Sequence, residues 1–294
     1  MRVTDRMLFD GAVRDGGAAR SKLEEAITRA ATGQRLIHPG DDPAGAGLVT
    51  QHQAAAARAA AVMGTAQAAG DELASVDTAF NDVTNALARA RELATQFASA
   101  PYTAAQRTSA AGEAQSLIDQ IVAALNTRVG NRYVMGGTLD GRPPFDAAGN
   151  YLGDTAVRQV EVAPGVLEDA SVRADVAVTG AGGGVNLMTT LAQLVTSLQA
   201  NDQAGVRATI DGIAAGTDQV AVARTQIGNA MNAFDVAAQV NRVARDDATS
   251  RAAHLTDADA IEANTQLALA QRALEASLTA TATGFKLTLL NYLK

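Results

Sequence analysis

At each end of the 294-residue sequence, large apolar side chains recur at coiled-coil spacing. Over residues 2–32, Phe9, Val13, Leu23, Ile27 and Ala30 fall at heptad intervals. Near the other end Leu267, Leu274, Leu278, Phe285 and Tyr292 are separated by 7, 4, 7 and 7 residues, with Leu289 between the last two. Two such rows, far apart in sequence, predict helices that fold back and bring the chain ends together. Apolar stripes ordinarily pack a helix into its own domain. These rows, however, are thin for the helices they serve, and a lone terminal helix pair is marginal in water. The ends are therefore expected to order when neighbouring subunits supply more surface.

Composition points the same way. Hydrophobic residues make up 47% of the chain, but alanine dominates them, aromatics are 3% and tryptophan is absent. Alanine is the best helix former and buries little side-chain area, so long, closely approaching helices are expected rather than a thick core. The net charge of -7 and the lack of a basic run interleaved with aromatics exclude nucleic acid as an expected partner. No apolar run is long enough for a membrane span, and the charged amino-terminal stretch does not read as a secretory signal. With no cysteine, disulfides, thiolate metal sites and cysteine nucleophiles are excluded together.

Local signals divide the helices. Arg20 with Glu24 and Glu25 with Arg29 are spaced to support the outer face of the first one. Gly33 stands where a left-handed cap would end it. In "RLIHPGDDPAG", residues 35–45, Pro39 and Gly40 break the chain, Asp42 is placed as an N-cap, and Pro43 suits the first helical position. A long alanine-rich helix is expected from about Ala44 to Ser99, and Thr103 with Gln106 reads as a capping box for another running to about Arg128. Helix resumes near Asn186 and continues, with a break near Asn201, to the end.

Between residues 136 and 184 glycine, proline and valine replace alanine. "VEVAPGVLED" reads as a strand with a turn at Pro164 and Gly165. In "SVRADVAVTG", Val172, Ala174, Val176 and Val178 alternate with other residues, which predicts a strand. "GAGGG", residues 180–184, reads as the flexible return.

Chemistry-bearing motifs are sparse. A metal site at His38, Asp41 and Asp42 would need the alternation of a calcium loop, which their spacing lacks, and the helix-cap reading is preferred. The glycine clusters lack the lysine and hydroxyl of a phosphate loop, and no serine sits in a nucleophile elbow. Neither a cofactor nor an enzymatic activity is expected.

Four stretches carry a family resemblance. "ATGQRLIHPGDDPAGAGL", residues 31–48, resembles the loop between the terminal and core domains of the bacterial flagellin superfamily, with Thr32 in place of the usual serine. "ARARELATQFAS", residues 88–99, is similar to that superfamily's core-helix motif. "NTRVGNRYVMGGTLDGRPPFD", residues 126–146, and the ending "LTLLNYLK" resemble the hook-associated protein 3 branch, with Met135 where phenylalanine is usual.

The resemblance implies a mainly α, flagellin-like fold with a small β-rich insertion, long antiparallel helices and coiled-coil-like termini. Its implied divisions are a terminal domain of residues 1–40 plus 255–294, a core of 41–138 plus 186–254, and an outer domain of 139–185. It further implies an adaptor ring on the extracellular flagellum, between hook-associated protein 1 and flagellin, exported with a chaperone through the flagellar type III apparatus without a cleaved signal. Assembly contacts are then expected at Phe9, Val13, Leu23, Ile27, Leu267, Leu274, Leu278, Phe285, Leu289 and Tyr292. A hinge is expected at Gly33, Asp41, Asp42 and Pro43. A flagellin filament subunit is the nearest alternative, and an intracellular helical scaffold is the alternative from another class.

Overall fold

Helices carry most of the chain in the computed structural model, which describes the backbone of residues 2–99 and 101–292 and the side chains of 7, 9–99 and 101–283. The order is α1 (Arg2–Thr32), α2 (Pro43–Phe97), α3 (Ala104–Leu125), β1 (Arg128–Val129), β2 (Arg132–Tyr133), β3 (Gln159–Ala163) and β4 (Val166–Asp169). After a π-helical turn over Asp175–Thr179 come α4 (Leu187–Gln199), α5 (Gln203–Thr256) and α6 (Ala260–Tyr292). The architecture is mainly α with a small β insertion, as expected. The strands form two antiparallel hairpins, β1 with β2 and β3 with β4. Contacts divide the chain into two compact units, Met1–Arg58 with Ala244–Lys294, and Ala59–Val243.

Several boundaries follow directly from the side chains that make them. Thr103 and Gln106 close a reciprocal capping box at the start of α3. The Asn186 side chain accepts the Thr189 N–H to start α4. Gly165, at φ 76°, makes the β3–β4 turn that the Pro-Gly pair predicts.

Two expectations are corrected. The stretch around 172–178 forms no strand; its end winds into the π-helical turn, burying Asp175, Ala177 and Val178. The Gln219 amide explains this, because its Nε2 donates to the carbonyls of Val176 (2.8 Å) and Ala177 (2.9 Å), taking the place of a strand partner. Arg173 and Asp175 pair two residues apart, and Gly180 ends the turn at φ 72°. The second correction concerns the carboxy-terminal helix, which is interrupted between Thr256 and Ala260, where the Asp259 carboxylate accepts the N–H of Ile261 (2.7 Å) and starts α6 anew.

The larger unit holds the thick core, with Leu73, Phe80, Leu87, Ile121, Leu125, Leu191 and Phe234 all buried. The Arg224 guanidinium of α5 holds both Asp77 oxygens on α2, at 2.8 and 3.1 Å. Glu72 of α2 accepts from Arg132 (3.1 Å to each oxygen) and also pairs with Arg158, which fixes the β insertion to α2.

Candidate assembly surface

α1 and α6 pack against one another antiparallel. Their shielded positions are Ala12, Gly16, Ala19, Leu23, Ala26 and Ala30 on α1, and Ala263, Leu267, Ala270, Leu274, Ser277 and Thr281 on α6. Both rows step alternately by four and three, which is the a/d seam of a two-helix coil. Most members are small, so the helices meet closely: a Cβ built on Gly16 would lie 3.9 Å from Ser277 Oγ.

The expected interface residues separate into groups on this frame. Leu23, Leu267 and Leu274 are half-buried in the seam. Phe9 shares their register, one heptad before Gly16, and is 49% exposed. Val13 (58% exposed), Ile27 (47%) and Leu278 (59%) occupy the flanking e positions. The side chains of Phe285, Leu289 and Tyr292 lie outside the described residues.

The loop after α1 is anchored to the α5–α6 junction. Gly33, at φ 68°, donates to Arg29 O (2.9 Å) and ends the helix. Arg35 N–H donates to Thr256 O (2.7 Å), the Arg35 guanidinium to Leu255 O (2.9 Å), and Ala258 N–H to Gly33 O (2.8 Å). Asp41 accepts the N–H groups of His38 (2.9 Å) and Ile37 (3.2 Å), chiefly the His38 bond holding its carboxyl below the usual carboxylate range. Asp42 accepts Gly45 N–H (2.9 Å) and Pro43 opens α2, so both aspartates are engaged with backbone. Among the described residues no three side chains are grouped to hold a metal, and no helix is long and apolar enough to cross a membrane.

Other anchoring residues escaped the sequence reading. Arg107 is buried at 2% exposure among the carbonyls of Tyr102 (2.7 Å) and Ser99 (3.0 Å) and the Asn201 side chain (2.6 Å). Its signal was available: it lies on the apolar row of α3 that continues through Ala110, Ala114, Leu117 and Ile121. Glu72 and Gln219 carried no local signal, since their partners lie far along the chain.

Residues 12–139 match the model of the bacterial flagellin N-terminal helical region. That span contains the 31–48 and 88–99 motifs. No curated protein matches the chain in sequence. Among solved structures, a protein assigned as a flagellar hook-associated protein from Vibrio parahaemolyticus aligns with a TM-score of 0.68 at 21% identity, over 74% of this chain and 100% of that one. Hook-associated protein 3 of Legionella pneumophila gives 0.58 at 14% identity, over 69% and 96%. Bacillus cereus FlgL gives 0.56 at 18%, over 66% and 93%. The chain is flagellin-like, with the fold of the hook-associated protein 3 structures.

Proposed function

We propose that this flagellin-like chain is a structural adaptor at the junction of hook and filament, where copies of it form a ring between hook-associated protein 1 and flagellin. The observation that carries the reading is the α1–α6 hairpin. α1 and α6 form one coil whose seam is mostly small residues, half of them alanine, while branched apolar side chains remain on its flanks. Such a coil gains the burial it lacks when further copies pack against it.

In this reading Phe9, Val13, Leu23, Ile27, Leu267, Leu274, Leu278, Phe285, Leu289 and Tyr292 serve the assembly, and Gly33, Asp41, Asp42 and Pro43 set the direction in which the chain leaves the hairpin. The three-part division at residues 40, 138, 185 and 254 belongs to the same proposal. So does export as an unfolded chain by the flagellar type III apparatus with a chaperone, for which the absence of disulfides is suitable. The role is structural rather than catalytic.

The test is to tag the insertion at Pro164–Gly165, isolate intact flagella and locate the label by electron microscopy. A single narrow band at the distal end of the hook is expected. Label along the filament would make the chain a filament subunit, and unlabelled flagella would favour the intracellular scaffold.

A further inference from the structure

Aspartate followed by glycine is a pair whose own atoms readily remake the main chain. Glycine has no Cβ to shield its nitrogen, so that nitrogen reaches the carboxyl carbon of the aspartate before it. The sequence holds four such pairs, Asp10–Gly11, Asp15–Gly16, Asp140–Gly141 and Asp211–Gly212, and no asparagine–glycine pair.

The fold treats these pairs differently. The first two lie within α1 and the last within α5, where a glycine N–H is held by the carbonyl of the preceding helical turn. Gly212 is also packed, since a Cβ built there would stand 2.9 Å from Thr190 Cγ2. Asp140 and Gly141 instead lie in a turn after β2. Gly141 is exposed, a Cβ built on it would meet nothing within 4 Å, and among the described residues its N–H has no acceptor. The Asp140 side chain is 43% exposed and its Oδ2 pairs with Arg132 Nε at 3.2 Å. Its main-chain carbonyl accepts the Tyr133 N–H at 2.9 Å, so residue 140 closes the loop that leaves β2.

We propose that Asp140 is a modification site, at which the folded chain converts to isoaspartate without an enzyme. The Gly141 nitrogen attacks Cγ of the Asp140 carboxyl in its protonated form. An N–Cγ bond forms and the Cγ–OH bond breaks. The hydroxyl leaves as water with the proton of the Gly141 amide, and a cyclic imide remains. Water then adds back. Opening at Cγ restores aspartate, whereas opening at the main-chain carbonyl carbon leaves the peptide running through Cβ and Cγ. Water is the sole co-reactant, and aspartate and isoaspartate have the same mass. The conversion exchanges both ties of residue 140. The carbonyl that accepted the Tyr133 N–H becomes part of a free carboxylate on Cα, and the carboxyl that Arg132 held becomes the peptide bond to Gly141. The main chain is one carbon longer there, so the loop between β2 and Arg142 is held differently after the reaction.

The test follows the purified full-length chain, kept folded in neutral buffer at physiological temperature, by peptide mapping with electron-transfer fragmentation, which tells isoaspartate from aspartate. Isoaspartate is expected to form at 140 about tenfold faster than at 211 or more, because Asp211 reacts only after local opening of α5. In denaturant the two rates should converge. An imide lighter by one water should appear at 140 ahead of the product. Gly141→Ala should slow the reaction severalfold, since its methyl shields the nitrogen while entering open space, with circular dichroism as the folding control. Asp140→Asn should accelerate it, because in neutral buffer ammonia leaves the amide more readily than water leaves the acid. Equal rates at 140 and 211 in the folded chain would overturn the proposal, and so would a Gly141→Ala rate matching that of the wild type. The chemistry belongs to the isolated chain. Unlabelled flagella in the tag experiment would remove the adaptor role and leave it standing, and an unmodified Asp140 would leave the adaptor role untouched.

Discussion

Arg107 brings a charge into the larger unit and meets carbonyls and an amide oxygen, with no carboxylate among its described partners. Three of those carbonyls, from Phe97, Ser99 and Tyr102, belong to the end of α2 and the turn that follows, where acceptors lack helical donors and the helix dipole favours a cation. Replacing Arg107 with methionine keeps the packing volume but orphans these acceptors. A loss of about 2 kcal/mol or more is expected in urea unfolding, at about 1–3 kcal/mol per unsatisfied group. A loss within error of zero would show that water replaces the guanidinium. Tyr151 offers a titration. Burial, and after it the nearby Asp175 charge, pushes its hydroxyl up to about 12. A raised value means the fold favours the neutral phenol. That stabilisation is complete below the ordinary tyrosine pKa of about 10 and is lost as pH rises through 12. The wild-type minus Tyr151→Phe difference in tyrosinate absorbance should have its midpoint near 12 in the folded protein, and near about 10 in denaturant; equal midpoints would refute the assignment. At this scale the sequence was legible where a side chain acts on backbone within a few residues, as Asp42 and Thr103 do. Arg107 carries a signal of its own, a charge on the apolar row of α3, but its acceptor Asn201 lies far along the chain.

Elements were legible when their stabilising partner was local. The turn between β3 and β4 followed from the Pro-Gly pair, whereas the π-helical turn depends on Gln219, contributed by α5. Alternation along 172–178 therefore described the residues correctly and the element wrongly. Gln219→Leu tests this dependence. It leaves the carbonyls of Val176, Ala177 and Val185 without their donor, so amide exchange across 175–185 should accelerate by one to two orders of magnitude, corresponding to about 1–3 kcal/mol. Unchanged protection would mean that the Arg173–Asp175 pair and the Gly180 cap suffice. The interruption before α6 had a signal, Asp259 at an N-cap position, but the surrounding helical pattern masked it. Where the loop after α1 hands over to α2, Asp42→Ala removes the acceptor of Gly45 N–H and should cost about 1 kcal/mol, read as a lower melting midpoint with faster exchange in the first turn of α2. Unaltered exchange there would remove Asp42 from the joint.

For the molecule as a whole, the fold class was evident in the alanine-rich helical periodicity, but the division into two units was not. Its boundaries fall at 58 and 243, inside α2 and α5, where no proline- or glycine-rich linker marks them. The division nevertheless separates two kinds of interior. Among the described residues, the buried apolar side chains of the first unit are Ala26, Val49, Ala248, Ala252 and Ala263, while the second buries Phe80, Phe145, Phe234 and a set of leucines and isoleucines. Burying an added methylene contributes about 0.8 kcal/mol, so an alanine seam contributes little against the backbone entropy of two long helices. The isolated chain should therefore lose helical circular dichroism in two steps, the terminal unit first. Deleting residues 281–294 should weaken or remove the lower transition and leave the upper one in place, because the second unit contains none of them. A single cooperative transition that shifts as a whole on deletion would show that the thick core stabilises the alanine coil, and the terminal hairpin would then need no neighbouring copy to become ordered.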